Sequence, residues 1–135
     1  MILLPQSELK EIAENLDMGM RVFVHKQTKE IVSYPSDDYD FDTEMWEEQM
    51  EKANEKDFIE IYKMDSRSGF SVMEDFIETV GDKNLANRLS FALGRPKPFQ
   101  NFKYELEYDR ENLHKWYAFK LERSTDWVKE QLKDR

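Results

Sequence analysis

The chain contains no cysteine and only four glycines among its 135 residues. The absence of cysteine excludes disulfides, thiolate nucleophiles, iron–sulfur clusters and cysteine zinc sites. Four glycines are too few for the glycine-rich loops that bring the backbone close to nucleotide phosphates. No apolar run is long enough to span a bilayer, and the N-terminus lacks the pattern of a secretory signal. We therefore expect a cytoplasmic protein without a membrane segment.

Negative charge is abundant but confined to one part of the chain. The formal net charge is −9, and the segment 36–60 alone contains eleven acidic and two basic residues. Outside this acidic segment, acidic and basic residues are equal in number. Phosphates are repelled by a uniformly acidic surface, although a local basic patch can still bind them. The charge pattern therefore disfavours broad coating by nucleic acid.

Hydrophobic periodicity in the first half predicts both helices and strands. A helical pattern begins at Ser7, a preferred N-cap residue. Alternating apolar residues then predict a hairpin that turns at 26–29, and a third strand follows at 58–62. Between them, Asp42 or Thr43 can cap a helix in the acidic segment.

The second half shows helical spacing throughout. Asp65 or Ser66 can cap a helix that Gly81 would end, and Asp82 and Asp109 can cap two later helices. We thus predict an α+β fold, with a small antiparallel sheet of about three strands, five to six helices and an all-helical C-terminal half. A single domain spans 1–135, with a mixed part at 1–62 and a helical part at 65–135.

One long stretch resembles a known family. Residues 73–106 read MEDFIETVGDKNLANRLSFALGRPKPFQNFKYEL, and the DSR at 65–67 is a further specific match. This pattern resembles a bacterial family of unknown function, uncharacterised protein family 0158, over about residues 9–132. Where relatives commonly have glycine in the hairpin turn, this chain has Lys29, and Pro96 is an extra proline. The resemblance implies a single α+β domain and no established activity.

The strongest candidate surface lies in and after the loop that contains Pro96 and Pro98. Arg95, Lys97 and Lys103 are interleaved with Phe99 and Phe102, and two prolines restrict the intervening loop. Pre-ordered cations beside aromatic rings favour an anionic partner. The alternative is that the rings are core anchors while Arg95 and Lys97 pair with the acidic segment of the same chain.

Four other residues are weaker candidates. Trp116 and Arg123 lie on the last predicted helix and carry the same ambiguity between core and surface. Arg67, at a helix start, could hold a carboxylate or phosphate, or pair with an internal acid. Trp46 lies in the acidic segment and could offer a surface of the opposite sign.

Metal and catalytic chemistry have little support. The only histidines, His25 and His114, lie in separate elements without metal-ligand spacing. Asp38, Asp40 and Asp42 have the spacing of the first calcium-loop ligands, but the positions that need glycine and glutamate carry Thr and Gln. We predict no metal, no cofactor and no catalytic residue, with a hydrolase that uses only Asp and Glu left open.

These observations favour a non-enzymatic cytoplasmic module that binds or regulates another protein or associates with itself. The alternative is a protein that binds nucleic acid or a phosphate-bearing ligand through the basic loop from Arg95 to Lys103.

Overall fold

The computed structural model describes residues 1–37 and 40–134. Its elements, in chain order, are α1 (Gln6–Asp17), β1 (Met20–His25), β2 (Ile31–Pro35), α2 (Glu47–Ala53), β3 (Phe58–Ile61), α3 (Ser66–Ile77), α4 (Lys83–Leu93), α5 (Pro98–Leu106) and α6 (Arg110–Lys133). The described residues thus form six helices and three strands, which confirms the predicted α+β class and the all-helical second half.

The strands form one antiparallel sheet in the order β2-β1-β3. Strand β1 is central, with Phe23 opposite Val32 on one side and Glu60 on the other. Because side chains alternate along a strand, Phe23 shares a face with these two partners and with Arg21, which lies two residues earlier. The sheet therefore has one face that carries both aromatic and charged groups.

The contacts divide the chain into two compact units. The first comprises residues 1–63 and 124–135, and the second comprises residues 64–123. The sequence placed everything after residue 65 in the helical part, whereas the last turns of α6 belong with the sheet. The end of the chain returns to the sheet through contacts between residues that are distant in sequence. Hydrophobic periodicity predicts only local structure, so it does not predict these contacts.

In the first unit, each sheet face buries an apolar layer. On one face Phe23 and Tyr34 stack at 5.5 Å between ring centroids, and Trp46 packs against this cluster from the turn before α2. The other face carries Val22 and Val24, which are fully buried, and α1 packs against β1. The amphipathic pattern of α1 and the strand alternation thus act together to exclude water from the sheet.

The outer edge of β3 is closed by side chains of α6. Gln131 accepts a hydrogen bond from the Tyr62 N–H at 2.8 Å and donates one to the Tyr62 carbonyl, also at 2.8 Å. The Trp127 indole N–H donates to the same carbonyl at 3.1 Å. A side-chain amide thereby replaces one residue of a neighbouring strand, which reduces the open edge.

The second unit has a core of interlocking apolar side chains from all its helices. Phe102 lies between Phe76 and Trp116, with ring centroids 6.3 and 4.9 Å away in edge-to-face geometry. The buried members of the core are Val72, Met73, Phe76, Leu85, Leu89, Phe102, Leu106 and Trp116. These rings contribute area burial and an additional edge-to-face interaction.

Three predicted helix caps are confirmed. Asp65 accepts a hydrogen bond from the Ser68 N–H at 2.7 Å, Asp82 from Asn84 and Leu85, and Asp109 from Asn112. Each carboxylate satisfies an amide that the helix itself leaves without a partner.

Three predicted boundaries are wrong. Helix α1 begins at Gln6, so Pro5 occupies the N-cap and Ser7 forms no cap. Helix α3 ends at Ile77, before Gly81, and α2 begins only at Glu47 because Asp42 starts a turn instead. In each case a second local arrangement, a proline start or a series of turns, competes with the predicted one.

Candidate functional site

The connection between α4 and α5 is short and held by local hydrogen bonds. The Asn101 side-chain amide donates to the Pro96 carbonyl at 2.8 Å. Lys97 has φ 57° and ψ 56°, in the left-handed region, and Pro98 then starts α5. The proline at the first helical position has a backbone angle that already suits the helix. The loop therefore presents its side chains from a defined backbone.

The three predicted cations of this region are exposed. Within the described residues of the second unit, Arg95, Lys97 and Lys103 form no ion pair and donate no side-chain hydrogen bond. Their pairing with the acidic segment of the same chain, which belongs to the first unit, stays a prediction. Asp38, one of the acids in that segment, lies outside the described residues.

Phe99 lies at the surface and covers a glycine. Its ring edge is 3.3 Å from the position that a Cβ would take on Gly69 of α3, and 46% of the residue is exposed. Lys103 follows four residues later and so lies on the same side of α5. Gly69 lets the ring approach α3, while the outer part of the ring stays in contact with water.

Phe91, on the last turns of α4, was missed by the sequence analysis. It is 70% exposed, and the Arg95 guanidinium lies over its ring at 5.6 Å from the centroid. The signal was present, because the buried residues Leu85, Leu89 and Ala92 define the α4 stripe and Phe91 falls off it. We refer to Phe91, Arg95, Lys97, Phe99 and Lys103 together as the cation–aromatic surface.

Two predicted binding residues are corrected by the structure. Phe102 is 1% exposed and Trp116 is 7% exposed, because both rings pack against Phe76 in the core of the second unit. A partner cannot reach rings that are enclosed by other side chains, so neither residue belongs to the candidate surface.

Two further cations lie away from this surface. Arg123 donates to Asp75 at 2.7 Å and lies over the Phe119 ring at 5.8 Å, so its guanidinium is already engaged. Arg67 is exposed, but it precedes Gly69 by two positions on α3 and so points to the opposite side of that helix from Phe99.

The helix α2 carries an acidic outer side. Its apolar side contributes Ala53, and Trp46 and Met50 pack with it on the sheet. Four exposed glutamates, three on the outer side of α2 and one in the turn before it, form what we call the acidic stripe: Glu44, Glu47, Glu48 and Glu51. Trp46 therefore anchors α2 to the sheet and is only partly accessible to a partner.

The shifted pKa values lie outside the cation–aromatic surface. The pKa values of Asp65 and Asp109 are lowered because each carboxylate accepts hydrogen bonds, from Ser68 and from Asn112 respectively. Burial raises the pKa of the Tyr34 hydroxyl. The bidentate contact with Glu60 raises the pKa of Arg21. These shifts follow from caps and an ion pair, which are structural roles.

Neither a metal-binding cluster nor a membrane-spanning helix is found among the described residues. Within them, no three acidic or histidine side chains converge in a way that could hold a metal ion. A shallow depression of about 250 Å³ lies at one end of the sheet, beside Arg21, Ser36 and Glu60. None of the helices in the described ranges is long and apolar enough to cross a membrane.

The fold and the surface together define an α+β protein with a small sheet, a helical unit and exposed cations beside exposed rings. Residues 1–135 match the model of an uncharacterised protein family, UPF0158, and the chain belongs to that family. Searches of curated proteins and of solved structures gave no match.

Proposed function

We propose that the protein is a non-enzymatic interaction module whose cation–aromatic surface binds an acidic segment of a partner protein. The observation that carries this proposal is the combination within residues 91–103: three exposed cations lie close in the chain to two exposed phenylalanines, and the Arg95 guanidinium lies over the Phe91 ring. The chain leaves both charge and apolar area unsatisfied at one place on a locally ordered backbone.

The two kinds of group support different parts of binding. Complete burial of a fully exposed phenylalanine is worth about 1.5–3 kcal/mol. Phe91 and Phe99 are 70% and 46% exposed, so covering both can supply roughly the value of one fully exposed ring, which is more than an exposed ion pair contributes. The cations contribute less, because an exposed ion pair is worth about 0–1 kcal/mol, but they select partners by charge. An acidic segment with apolar side chains fits both requirements.

A protein partner is favoured over nucleic acid by the charge balance. The second unit contains ten acidic and ten basic residues, and the first carries the whole net charge of −9. A polyphosphate chain would meet few cations and a repulsive remainder. The phosphate-binding alternative depends on the same residues and is separated by experiment.

The experiment is site-specific photo-crosslinking in cells that naturally produce the protein. A photoreactive residue replaces Phe91 or Phe99, and a third version carries it at Met18, an exposed apolar residue of the first unit. Each version is made once in the otherwise unchanged sequence and once together with the two substitutions Arg95→Glu and Lys97→Glu. A matched pair, Lys10→Glu with Lys129→Glu, imposes the same change of net charge at exposed positions elsewhere.

We expect protein adducts from positions 91 and 99 but not from 18. The adducts should disappear with the Arg95, Lys97 pair and persist with the control pair. Adducts to nucleic acid from the same positions would replace this proposal with the phosphate-binding alternative. If positions 91 and 99 gave no more adduct than position 18, the surface would have no partner and the proposal would be wrong.

A further inference from the structure

We infer that the partner is a second copy of this chain, whose acidic stripe docks on the cation–aromatic surface. This inference rests on the proposed function and names the occupant of the same surface. Its basis is charge complementarity, because the chain presents two exposed sets of opposite charge, each of which has no ion-pair partner among the described residues of its own unit.

The acidic stripe is presented as one surface. Glu47, Glu48 and Glu51 lie at helical positions i, i+1 and i+4, so their side chains leave α2 within an arc of about 100°. Glu44 lies one turn earlier in the chain. Among the described residues of the first unit, no cation forms an ion pair with these four carboxylates.

The stripe also offers apolar area that matches the exposed rings. Met45, beside Glu44, is 72% exposed and is the most exposed methionine in the described ranges. A methionine side chain is flexible and makes favourable contacts with aromatic rings. The pattern of carboxylates around a thioether therefore complements the pattern of cations around Phe91 and Phe99.

The proposed contact joins the cation–aromatic surface of one copy to the acidic stripe of another copy, so the two contacting surfaces differ. It produces a closed dimer if a two-fold axis lets both copies use both surfaces at once, and a ring or a filament otherwise. Either arrangement depends on the same charge pairs between copies, so reversing the charges of one surface or the other tests both arrangements.

The test uses two purified variants of the full chain. The base-reversed variant carries Arg95→Glu and Lys97→Glu, and the acid-reversed variant carries Glu47→Lys and Glu48→Lys. Sedimentation equilibrium measures the mass of each variant, of wild type and of an equal mixture of the two variants. The measurements are made at about 0.01 M salt, where charges act over about 30 Å, and at about 1 M salt, where they act over about 3 Å.

We expect wild type to exceed the monomer mass of 16.3 kDa at low salt and to approach it at high salt. Each reversed variant should be monomeric, because the acid-reversed stripe has no net charge to attract the cations, and the base-reversed surface has become net negative, like the stripe. The mixture should regain mass, because each variant then supplies a surface complementary to the other. The control variants, Lys10→Glu with Lys129→Glu and Glu11→Lys with Glu14→Lys, should each associate as wild type does.

A monomeric wild type at low salt would overturn the self-association inference, while photo-crosslinks from Phe99 to a different protein would preserve the proposed function. A mixture that stayed monomeric would also overturn the inference. Circular dichroism checks that each variant is folded. Should the base-reversed variant be unfolded, Arg95→Gln with Lys97→Gln removes the same charges, and an unchanged wild-type-like mass in that variant would equally overturn the inference.

Discussion

Replacing Lys97 by glycine should stabilise the protein while weakening its binding. Lys97 has φ 57° and ψ 56°, a left-handed conformation that costs a residue with a Cβ about 1–2 kcal/mol. Glycine adopts this conformation freely but loses about 0.5–1 kcal/mol through the greater freedom of its unfolded chain. The difference between these two ranges is about 0–1.5 kcal/mol, so the central expectation is a gain of about 0.75 kcal/mol in unfolding free energy. At about 4 °C per kcal/mol for a chain of 135 residues, this gain raises Tm by about 3 °C.

The same substitution removes one of three cations from the cation–aromatic surface. An exposed ion pair contributes about 0.2–1 kcal/mol, so partner binding should weaken by a factor of about 1.4 to 5. Lys97→Ala removes the same charge but keeps the Cβ, and should weaken binding without the gain in stability. Lys29→Gly is the matched control, because Lys29 has φ 65° in the hairpin turn and should gain stability without loss of binding.

The assays are chemical denaturation for stability and the yield of the photo-crosslink from position 99 for binding. If Lys29→Gly raised the unfolding free energy while Lys97→Gly left it unchanged or lowered it, the strain assigned to Lys97 would be refuted. If Lys97→Gly retained the full crosslink yield, Lys97 would have no place in the surface.

Three further predictions follow from hydrogen bonds that carry local structure. Gln131→Ala should lower the unfolding free energy by about 1 kcal/mol in urea denaturation, because the Tyr62 N–H loses its side-chain acceptor and the Tyr62 carbonyl keeps only Trp127 as a donor; an unchanged midpoint would show that water replaces Gln131. His25→Ala should speed hydrogen exchange of the Gln27 and Thr28 amides, because both donate hydrogen bonds to the His25 Nδ1, at 3.1 and 3.0 Å. His114→Ala, at an exposed position of α6, should leave the exchange of these amides unchanged. The folded pKa values of Asp65 and Asp109 are lowered, so their stabilising contribution is complete above the unfolded pKa and is lost as the pH falls through the folded values. Acid titration of unfolding should therefore be flatter for Asp65→Asn with Asp109→Asn, and an equally steep wild-type-like curve would contradict the cap assignment.

Local hydrogen-bond chemistry could be predicted from the sequence. Asp65, Asp82 and Asp109 cap helices as expected, because a cap bonds to amides two or three residues away and needs no distant partner. Lys29 has φ 65° at the turn position where relatives commonly have glycine, which shows that the turn keeps this conformation with a lysine there. Alternation and helical spacing likewise indicated the sheet and the helical second half.

The identity of exposed and buried rings needed the tertiary structure. Phe99 and Phe102 lie three residues apart on α5, yet one is 46% exposed and the other 1% exposed. Which of them enters the core depends on where α3 and α6 place Phe76 and Trp116, and on the space that Gly69 leaves. Side-chain type and spacing allow both outcomes, because an aromatic residue is apolar in either position.

The sequence by itself therefore determined the three aspartate caps, the strand and helix types and the acidic segment. It also determined the presence of cations around Pro96 and Pro98. Only the tertiary structure decided that Arg123 is engaged with Asp75, that Phe102 enters the core while Phe99 stays exposed, and that the end of α6 closes the β3 edge through Gln131. The physical reason is distance along the chain. Caps and turns are settled within four residues, whereas these three features depend on packing or on residues brought together from far apart in sequence.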